Sequence, residues 1–428
     1  MKNVVIVSCA RTPVGSFGGS LKSMCVVELG SIVMKDLLKR VGLRPVADKS
    51  TKEFGPDSLK EQGIIDLEKK EFDYDDSLTP VNIDEVIMGN VLQAGQGQNT
   101  ARQAMIKAGI PRQTTAFTIN KICGSGLKAI ALGAQAIMTG ESDVVLAGGQ
   151  ESMSNAPMAL PKARWGHRME LTGIGDVYDL MVYDGLYEIF YGYHMGLTAE
   201  NIVEKYGITR QNQDELALLS HTRAFKAVHD GTFAREIVPV TVKQSKKEIL
   251  IDKDERPMET SIEKLARLRP AFKKDGSVTA GNASGINDGA AGVLLMSEEK
   301  ADELGLEKLA IIKAFASGGI DPAYMGLGPV PAIRKILKTT GMSINDIDVI
   351  ELNEAFAAQA IGCMKELNID IEKANRLGSG VSLGHPIGCT GARQMVTAIN
   401  QIKTNDYSTG IISMCIGGGM GMGMIIER

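Results

Sequence analysis

The chain has 428 residues, enough for more than one domain, and its 44% hydrophobic and 23% charged residues describe an ordinary globular protein. A net charge of −4 and an isoelectric point near 5.9 exclude nucleic-acid binding driven by a basic surface. Six cysteines scattered singly (Cys9, Cys25, Cys123, Cys363, Cys389, Cys415) are no disulfide framework, and no apolar run reads as long enough to span a membrane.

In chain order, Val4 to Val7 form a buried-strand pattern directly after the first residues, with no cleavable apolar core before it, so a cytoplasmic location is expected. A helical stretch from Leu29 to Val41 follows. Residues 44–80 are then strongly charged, from Asp48 to Asp76. They join that helix to the strand at Val86, so they belong at the edge where strands begin, whereas ligands of parallel sheets sit where strands end. The stretch is read as a solvated, partly helical surface insertion that spares the chemistry, with subunit or partner docking as the alternative.

Next comes Asn120-Lys121-Ile122-Cys123-Gly124-Ser125-Gly126, a strand-like run that breaks at a cysteine and continues with helical periodicity. A cysteine at a helix start meets unpaired N–H groups and the positive end of the dipole, which favours thiolate over thiol. That marks Cys123 as a candidate nucleophile; a buried structural cysteine is the alternative. The apolar strand Val144 to Gly149 closes this region.

Residues 155–286 carry few strong strands and read as an inserted cap. Helical patterns run from Thr198 to Tyr206 and from Arg210 to Asp230, the second capped by Thr209 or Asn212. Then the chain repeats itself: Ile83-Asp84-Glu85-Val86-Ile87-Met88-Gly89-Asn90 returns as Ile347-Asp348-Val349-Ile350-Glu351-Leu352-Asn353-Glu354. Strands alternating with helices in two such halves predict mostly parallel sheets covered on both faces.

Two more reactive side chains lie in glycine-rich surroundings. His385 stands in Gly384-His385-Pro386-Ile387-Gly388, and Cys415 in Ser413-Met414-Cys415-Ile416-Gly417-Gly418-Gly419. Glycines there let a ligand or another backbone approach closely. His385 and Cys389 could share a metal, yet no second ligand pair accompanies them, so no metal site is expected.

The Cys123 segment, Asn353-Glu354-Ala355-Phe356, Gly384-His385-Pro386-Ile387-Gly388 and Cys415-Ile416-Gly417-Gly418-Gly419, in that order, resemble the thiolase family. Ala10-Arg11-Thr12-Pro13, Gly148-Gly149-Gln150-Glu151-Ser152-Met153-Ser154, Tyr193-His194-Met195-Gly196 and Thr279-Ala280-Gly281-Asn282-Ala283-Ser284 add to the likeness. It implies an α/β thiolase-like fold: two duplicated βαβαβαββ halves in a five-layered α/β/α/β/α stack with an inserted loop domain. Residues 1–154 would form the N-terminal half, completed by about 287–306, residues 155–286 the loop domain, and residues 307–428 the C-terminal half.

The same resemblance implies acetyl-CoA C-acetyltransferase activity. Cys123 would take the acyl group with His385 as base, and the backbone groups of Cys123 and Gly417 would face the oxyanion. Cys415, as a thiolate, would remove a proton from a second acetyl-CoA, with a water held by Asn353 stabilising the enolate. Ser284 matches the residue that bonds the pantetheine arm of coenzyme A, with Ala280 and Gly281 beside it, and Arg256 is a candidate for the nucleotide end. His194 and Met195 resemble the pair lining the acyl pocket, where a methionine favours short chains; core packing is the other reading of Met195. Acetyl-CoA, CoA and acetoacetyl-CoA are the implied partners. No prosthetic group is expected, nor nucleic acid or membrane, and the implied assembly is a dimer of dimers.

Rival functions are weaker on the residues. Within the same family, a degradative 3-ketoacyl-CoA thiolase acting on longer acyl chains is the alternative. A ketoacyl synthase would carry two histidines where this chain has Asn353, His385 and Cys415. A dinucleotide-dependent oxidoreductase needs a helix opening at the run Gly417 to Gly423 and an acidic residue about 20 residues on, and the apolar run that follows offers neither. A non-catalytic carrier would be expected to have lost one of Cys123, His385 and Cys415.

Overall fold

A computed structural model describes residues 2–169, 173, 175–244 and 247–428. Six residues of the loop segment, 170–172, 174, 245 and 246, lie outside that description.

The apolar runs become strands with both faces covered. Along Val4–Arg11, Val4 and Ile6 face one core and Val5 and Val7 another, and along Asn287–Ser297, Val293 and Leu295 oppose Leu294 and Met296. That alternation is the period of two of a strand. Full burial of each such side chain contributes about 1.5–3 kcal/mol, so the two-faced pattern locks the register.

The sheet path runs Val349–Leu352, Thr409–Ile416, Met420–Glu427, Ala310–Gly319, Val4–Arg11, Asn287–Ser297, Val144–Ser152, Glu85–Gly89, Thr115–Ile119. Its two halves meet through two residue pairs, Val5 with Ile311 and Ile6 with Ala310. Each half repeats the other. Glu85–Gly89 lies parallel between Thr115–Ile119 and Val144–Ser152, and Val349–Leu352 lies parallel to Thr409–Ile416 with an isolated parallel bridge from Ile350 to Ala374 in the place of the fifth strand. The repeat seen in the sequence therefore marks equivalent strands.

The expectation of mostly parallel sheets is corrected. Val144–Ser152 pairs antiparallel with Asn287–Ser297, that strand with Val4–Arg11, Thr409–Ile416 with Met420–Glu427, and that strand with Ala310–Gly319. In the C-terminal half the last two strands are joined by a hairpin through Gly417, Gly418 and Gly419, and in the N-terminal half the whole inserted segment joins Val144–Ser152 to its antiparallel neighbour Asn287–Ser297.

Helices Ser125–Thr139 and Thr390–Asn405 lie between the two half-sheets, sharing one core with strands of both. Val26–Lys39 and Thr100–Lys107 cover the outer face of one half-sheet, Pro329–Thr340 and Ala357–Leu367 that of the other. This is the five-layered stack. The segment Ile122–Thr139 has the length and mean hydropathy, 1.3, of a membrane span, contrary to the reading of the sequence. Its apolar character follows from its place between two sheets, where most of its surface is buried and only a stripe through Lys128, Gln135 and Thr139 meets solvent.

In the inserted segment, the helix Arg210–His229 begins with a reciprocal cap: Thr209 Oγ1 accepts from Asn212 N and Asn212 Oδ1 accepts from Thr209 N. A buried ion pair fastens the segment to the stack. Arg11, at the end of the first strand, donates to both oxygens of Asp254 at 2.7 and 2.9 Å and to Glu236 at 2.7 Å. The charged stretch holds helices Lys49–Glu53 and Asp66–Glu71 and lies at the strand-start edge, as expected. It is anchored more firmly than a solvated insertion needs to be: Tyr74 is buried with its hydroxyl donating to Ala108 O at 2.8 Å, and Glu68 accepts from the backbone and guanidinium of Arg112.

Candidate active site

Thr115–Ile119 ends where the polypeptide must turn into a central helix, and the turn is strained. Ile122 takes a left-handed φ of 47°, rare for a β-branched residue, and Ser125 Oγ locks the bend by donating to Ile122 O and accepting from Lys121 N. Cys123 is thereby pushed out ahead of the helix. Its thiol enters a cavity of about 500 Å³ also lined by His385, Cys415, Gly417, Ser284, Arg256, His194, Met195 and Ala280. The motifs lie hundreds of residues apart in sequence. Two equivalent strand ends and two central helices bring them to one point.

His385 owes its position to three neighbours. Gly384 has φ of 98°, and a Cβ there would lie 2.3 Å from the Asn287 side chain. That close approach lets Asn287 Oδ1 accept from His385 N at 3.0 Å while its amide donates to Gly15 O. The Thr390 hydroxyl gives its proton to Pro386 O, so the 2.6 Å contact between Thr390 Oγ1 and His385 Nδ1 assigns the ring proton to Nδ1. Nε2 is left with the free lone pair. Asn353 Nδ2 rests 3.5 and 3.4 Å from the two ring nitrogens, too even to be a bond to either, and its Oδ1 is buried without a protein partner. Asn353 itself does not line the cavity.

The electrostatics correct one expectation. Burial pushes the Cys123 thiol up to about 11, although the N–H groups of Gly417 and of Cys123 itself favour the thiolate. Burial also holds Cys415 well above its ordinary range, and ionised Cys123 and Cys363 would raise it further. Desolvation outweighs the helix start, so both cysteines rest as thiols. Burial drives the His385 imidazole down to about 3, with the Arg393 cation adding to the effect, so the ring is neutral. A neutral base beside a neutral nucleophile can exchange a proton once a substrate oxygen takes up negative charge.

Gly417 places its N–H against the Cys123 sulfur, and a Cβ there would come 2.9 Å from Met195 Cε, so a larger residue would push the methionine aside. His194 and Met195 stand at the start of the helix Met195–Tyr206, which begins three residues earlier than its periodicity suggests because His194 Nδ1 caps it by accepting from Gly196 N. The His194 ring stacks on Phe272 at 4.7 Å, and Phe272 meets Phe356 edge-on. Met195, Met325, Phe356 and Cys415 share one apolar cluster at that end of the cavity.

Arg256 lines the wall as a clamp: Nε donates to Val381 O at 2.8 Å and Nη2 to Ala283 O at 3.1 Å. These bonds hold the loop that bears Ser284. Gly281 is not brought to the cavity; it is packed so tightly that a Cβ would touch Leu268 and Leu265 at 2.5 and 2.7 Å. Cys389 faces the central core rather than the cavity. Phe272 and Met325 line the site without any sequence signal to announce them and Met153 stands in the quoted Gly148 to Ser154 motif without an assigned role, whereas Thr390 could have been found five residues after His385, at the first position of the next helix.

Comparison with known proteins agrees with this geometry. The family model of the thiolase N-terminal domain matches residues 4–54 and 56–299, and that of the thiolase C-terminal domain matches residues 306–428. An acetyl-CoA acetyltransferase of Syntrophomonas wolfei is 50% identical over 428 residues, covering all of this chain and 99% of that protein. A probable acetyl-CoA acyltransferase of Staphylococcus aureus is 48% identical over 430 residues, covering both chains fully. The crystal structure of the Bacillus anthracis acetyl-CoA acetyltransferase superposes with a TM-score of 0.89 at 46% identity, covering 100% of this chain and 99% of that one. These relatives align over the whole chain, so the charged stretch at 44–80 is not peculiar to it. Two half-sheets with their strand ends converging on Cys123, His385 and Cys415, and matches over nearly every residue, place this chain in the thiolase family.

Proposed function

We propose that the protein is an acetyl-CoA C-acetyltransferase, joining two acetyl-CoA into acetoacetyl-CoA and CoA or running the reverse thiolysis. The observation that carries this reading is the meeting of two thiols, one neutral imidazole and two backbone N–H groups in one cavity. In the first half-reaction Cys123 Sγ attacks the thioester carbon while its proton passes to His385 Nε2. The developing oxyanion lies against the N–H groups of Cys123 and Gly417. The leaving CoA sulfur needs a proton, and Cys415, held as a thiol by burial, can supply it and become the thiolate.

The second half-reaction uses that thiolate. Cys415 takes a proton from the methyl carbon of a second acetyl-CoA, recovering the proton it gave up. The enolate oxygen is stabilised by the imidazolium of His385, with Asn353 Oδ1 available to a water beside it. The new carbon–carbon bond forms as Cys123 leaves and takes its proton back from His385. Coenzyme A would enter past Ser284, Ala280, Arg256 and His194, and the cluster of Met195, Met325 and Phe356 supports a short acyl group. The exposed side chains of Trp165, Tyr183, Phe190 and Tyr191 support assembly through the loop segment. The test is thiolysis of acetoacetyl-CoA by free CoA: turnover is expected, and a folded protein that leaves this substrate intact while cleaving longer 3-ketoacyl-CoAs would overturn the short-chain assignment.

A further inference from the structure

Beneath both catalytic loops lies a carboxylate that no step above uses. Glu151, near the end of the strand Val144–Ser152, is fully buried. Oε1 accepts from Asn90 Nδ2 at 2.7 Å and Leu92 N at 3.1 Å, and Oε2 accepts from Val91 N at 3.0 Å and Gly388 N at 2.8 Å. Three donors follow the strand Glu85–Gly89 in one half of the fold. The fourth belongs to the loop that carries His385 in the other half.

The contact is close on every side. A Cβ on Gly388 would come 2.6 Å from Glu151 Oε2, one on Gly149 would strike Gly388 O at 2.0 Å, and one on Gly126 would lie 2.9 Å from the same oxygen. Gly126 belongs to the first turn of the helix that Cys123 precedes. The start of the nucleophile's helix and the base's loop therefore touch through bare backbone, with Glu151 at the seam. Burial pushes its carboxyl up to about 7, and the four donors pull the other way. Both oxygens accept from N–H groups, an arrangement the ionised form fills best, so the geometry favours the carboxylate against the cost of burial. The titratable groups that its charge reaches are the thiols of Cys123 and Cys389, one at each central helix start.

We propose that Glu151 is a positioning residue for this reaction, fixing Cys123 and His385 relative to each other by bonding the loops of both halves of the fold. The inference rests on the thiolase reading of the cavity. A misplacement of about 1 Å between reacting groups costs on the order of 10²-fold in rate, which is the scale at stake.

The experiment compares Glu151→Gln with the intact protein by thiolysis kinetics and by iodoacetamide alkylation of Cys123 against pH. Glutamine keeps the shape but offers one acceptor oxygen and turns an NH2 toward two donors. A fall in kcat of about 10²-fold with KM within about threefold is expected. The alkylation midpoint should move to lower pH, because a negative charge near the thiol is removed. A folded variant with wild-type kcat, or one whose loss lies in KM alone, overturns the proposal. If Glu151→Gln does not fold, Asn90→Ala removes one of the four bonds and keeps the charge; a drop in kcat of about tenfold at constant KM supports the role, and an unchanged kcat overturns it. If the intact protein shows no thiolysis at all, the functional reading has failed, and an unchanged alkylation profile in Glu151→Gln would separately defeat the positioning role.

Discussion

The Nδ1–H of His385 donates to the hydroxyl of Thr390 at 2.6 Å, and that hydroxyl donates in turn to Pro386 O at 2.9 Å. The helix Thr390–Asn405 thus fixes the tautomer of the base from its first residue. Thr390→Val keeps the shape and removes the acceptor. The imidazole can then turn over or take the other tautomer, and kcat for thiolysis is expected to fall roughly ten- to a hundredfold, part of the 10²–10⁴ that a positioned base supplies. Wild-type kcat in a folded Thr390→Val protein would show that the bond does not orient the ring.

The two cysteines have separable roles. Cys123→Ala should form no acetyl adduct with acetyl-CoA and show no turnover. Cys415→Ala should still form the adduct on Cys123, more slowly, because the leaving thiol has lost its proton donor. Its condensation and thiolysis should fall by about 10³-fold or more for want of a base. Mass spectrometry of the acetylated protein checks both, and an adduct in Cys123→Ala would move the nucleophile elsewhere.

Stability should carry the signature of the buried imidazole. His385 is held down at about 3 against 6.5 in the unfolded chain, so the unfolded state binds the extra proton between those values. Its contribution is fully present above pH 6.5 and is lost as pH falls toward 3, at up to about 1.4 kcal/mol per pH unit. Denaturant unfolding at pH 7 and pH 5 should show a smaller loss in His385→Gln than in the intact protein. Equal losses would mean that other groups set the acid limb.

Glu68 anchors the charged stretch by accepting from Arg112 N and from its guanidinium. Glu68→Ala leaves these donors partly buried and unsatisfied, and should destabilise the fold by about 1–3 kcal/mol. Because the anchor sits at the strand-start edge, away from Cys123, kcat should not change. A lowered kcat at full stability would show that this stretch communicates with the site.

Much of the site was legible because the chemistry needs rare company: a cysteine at a helix start and a histidine and a second cysteine set among glycines. Glycine runs mark places where backbone must come close to something, and at Gly384 and Gly417 the structure shows what that something is, Asn287 and Met195. The duplicated strand was legible too, because Ile83 to Asn90 returns as Ile347 to Glu354 at the equivalent place in the second half. Antiparallel returns were not, since a hairpin and a crossover leave the same apolar strand behind them.

The order of motifs, the two halves and the reactive side chains were determined by the sequence itself. Which form those side chains take was decided only in three dimensions. Cys123 at its helix start reads as a thiolate, yet burial holds it as a thiol, because desolvation depends on neighbours from Val91 to Ile387 that no local pattern reveals. Gly281 reads as part of the ligand wall and is instead packed against Leu265 and Leu268. Glu151 reads as one polar residue at a strand end. Tertiary structure makes it the meeting point of donors from residues 90–92 and 388, because only folding can bring four N–H groups to one carboxylate.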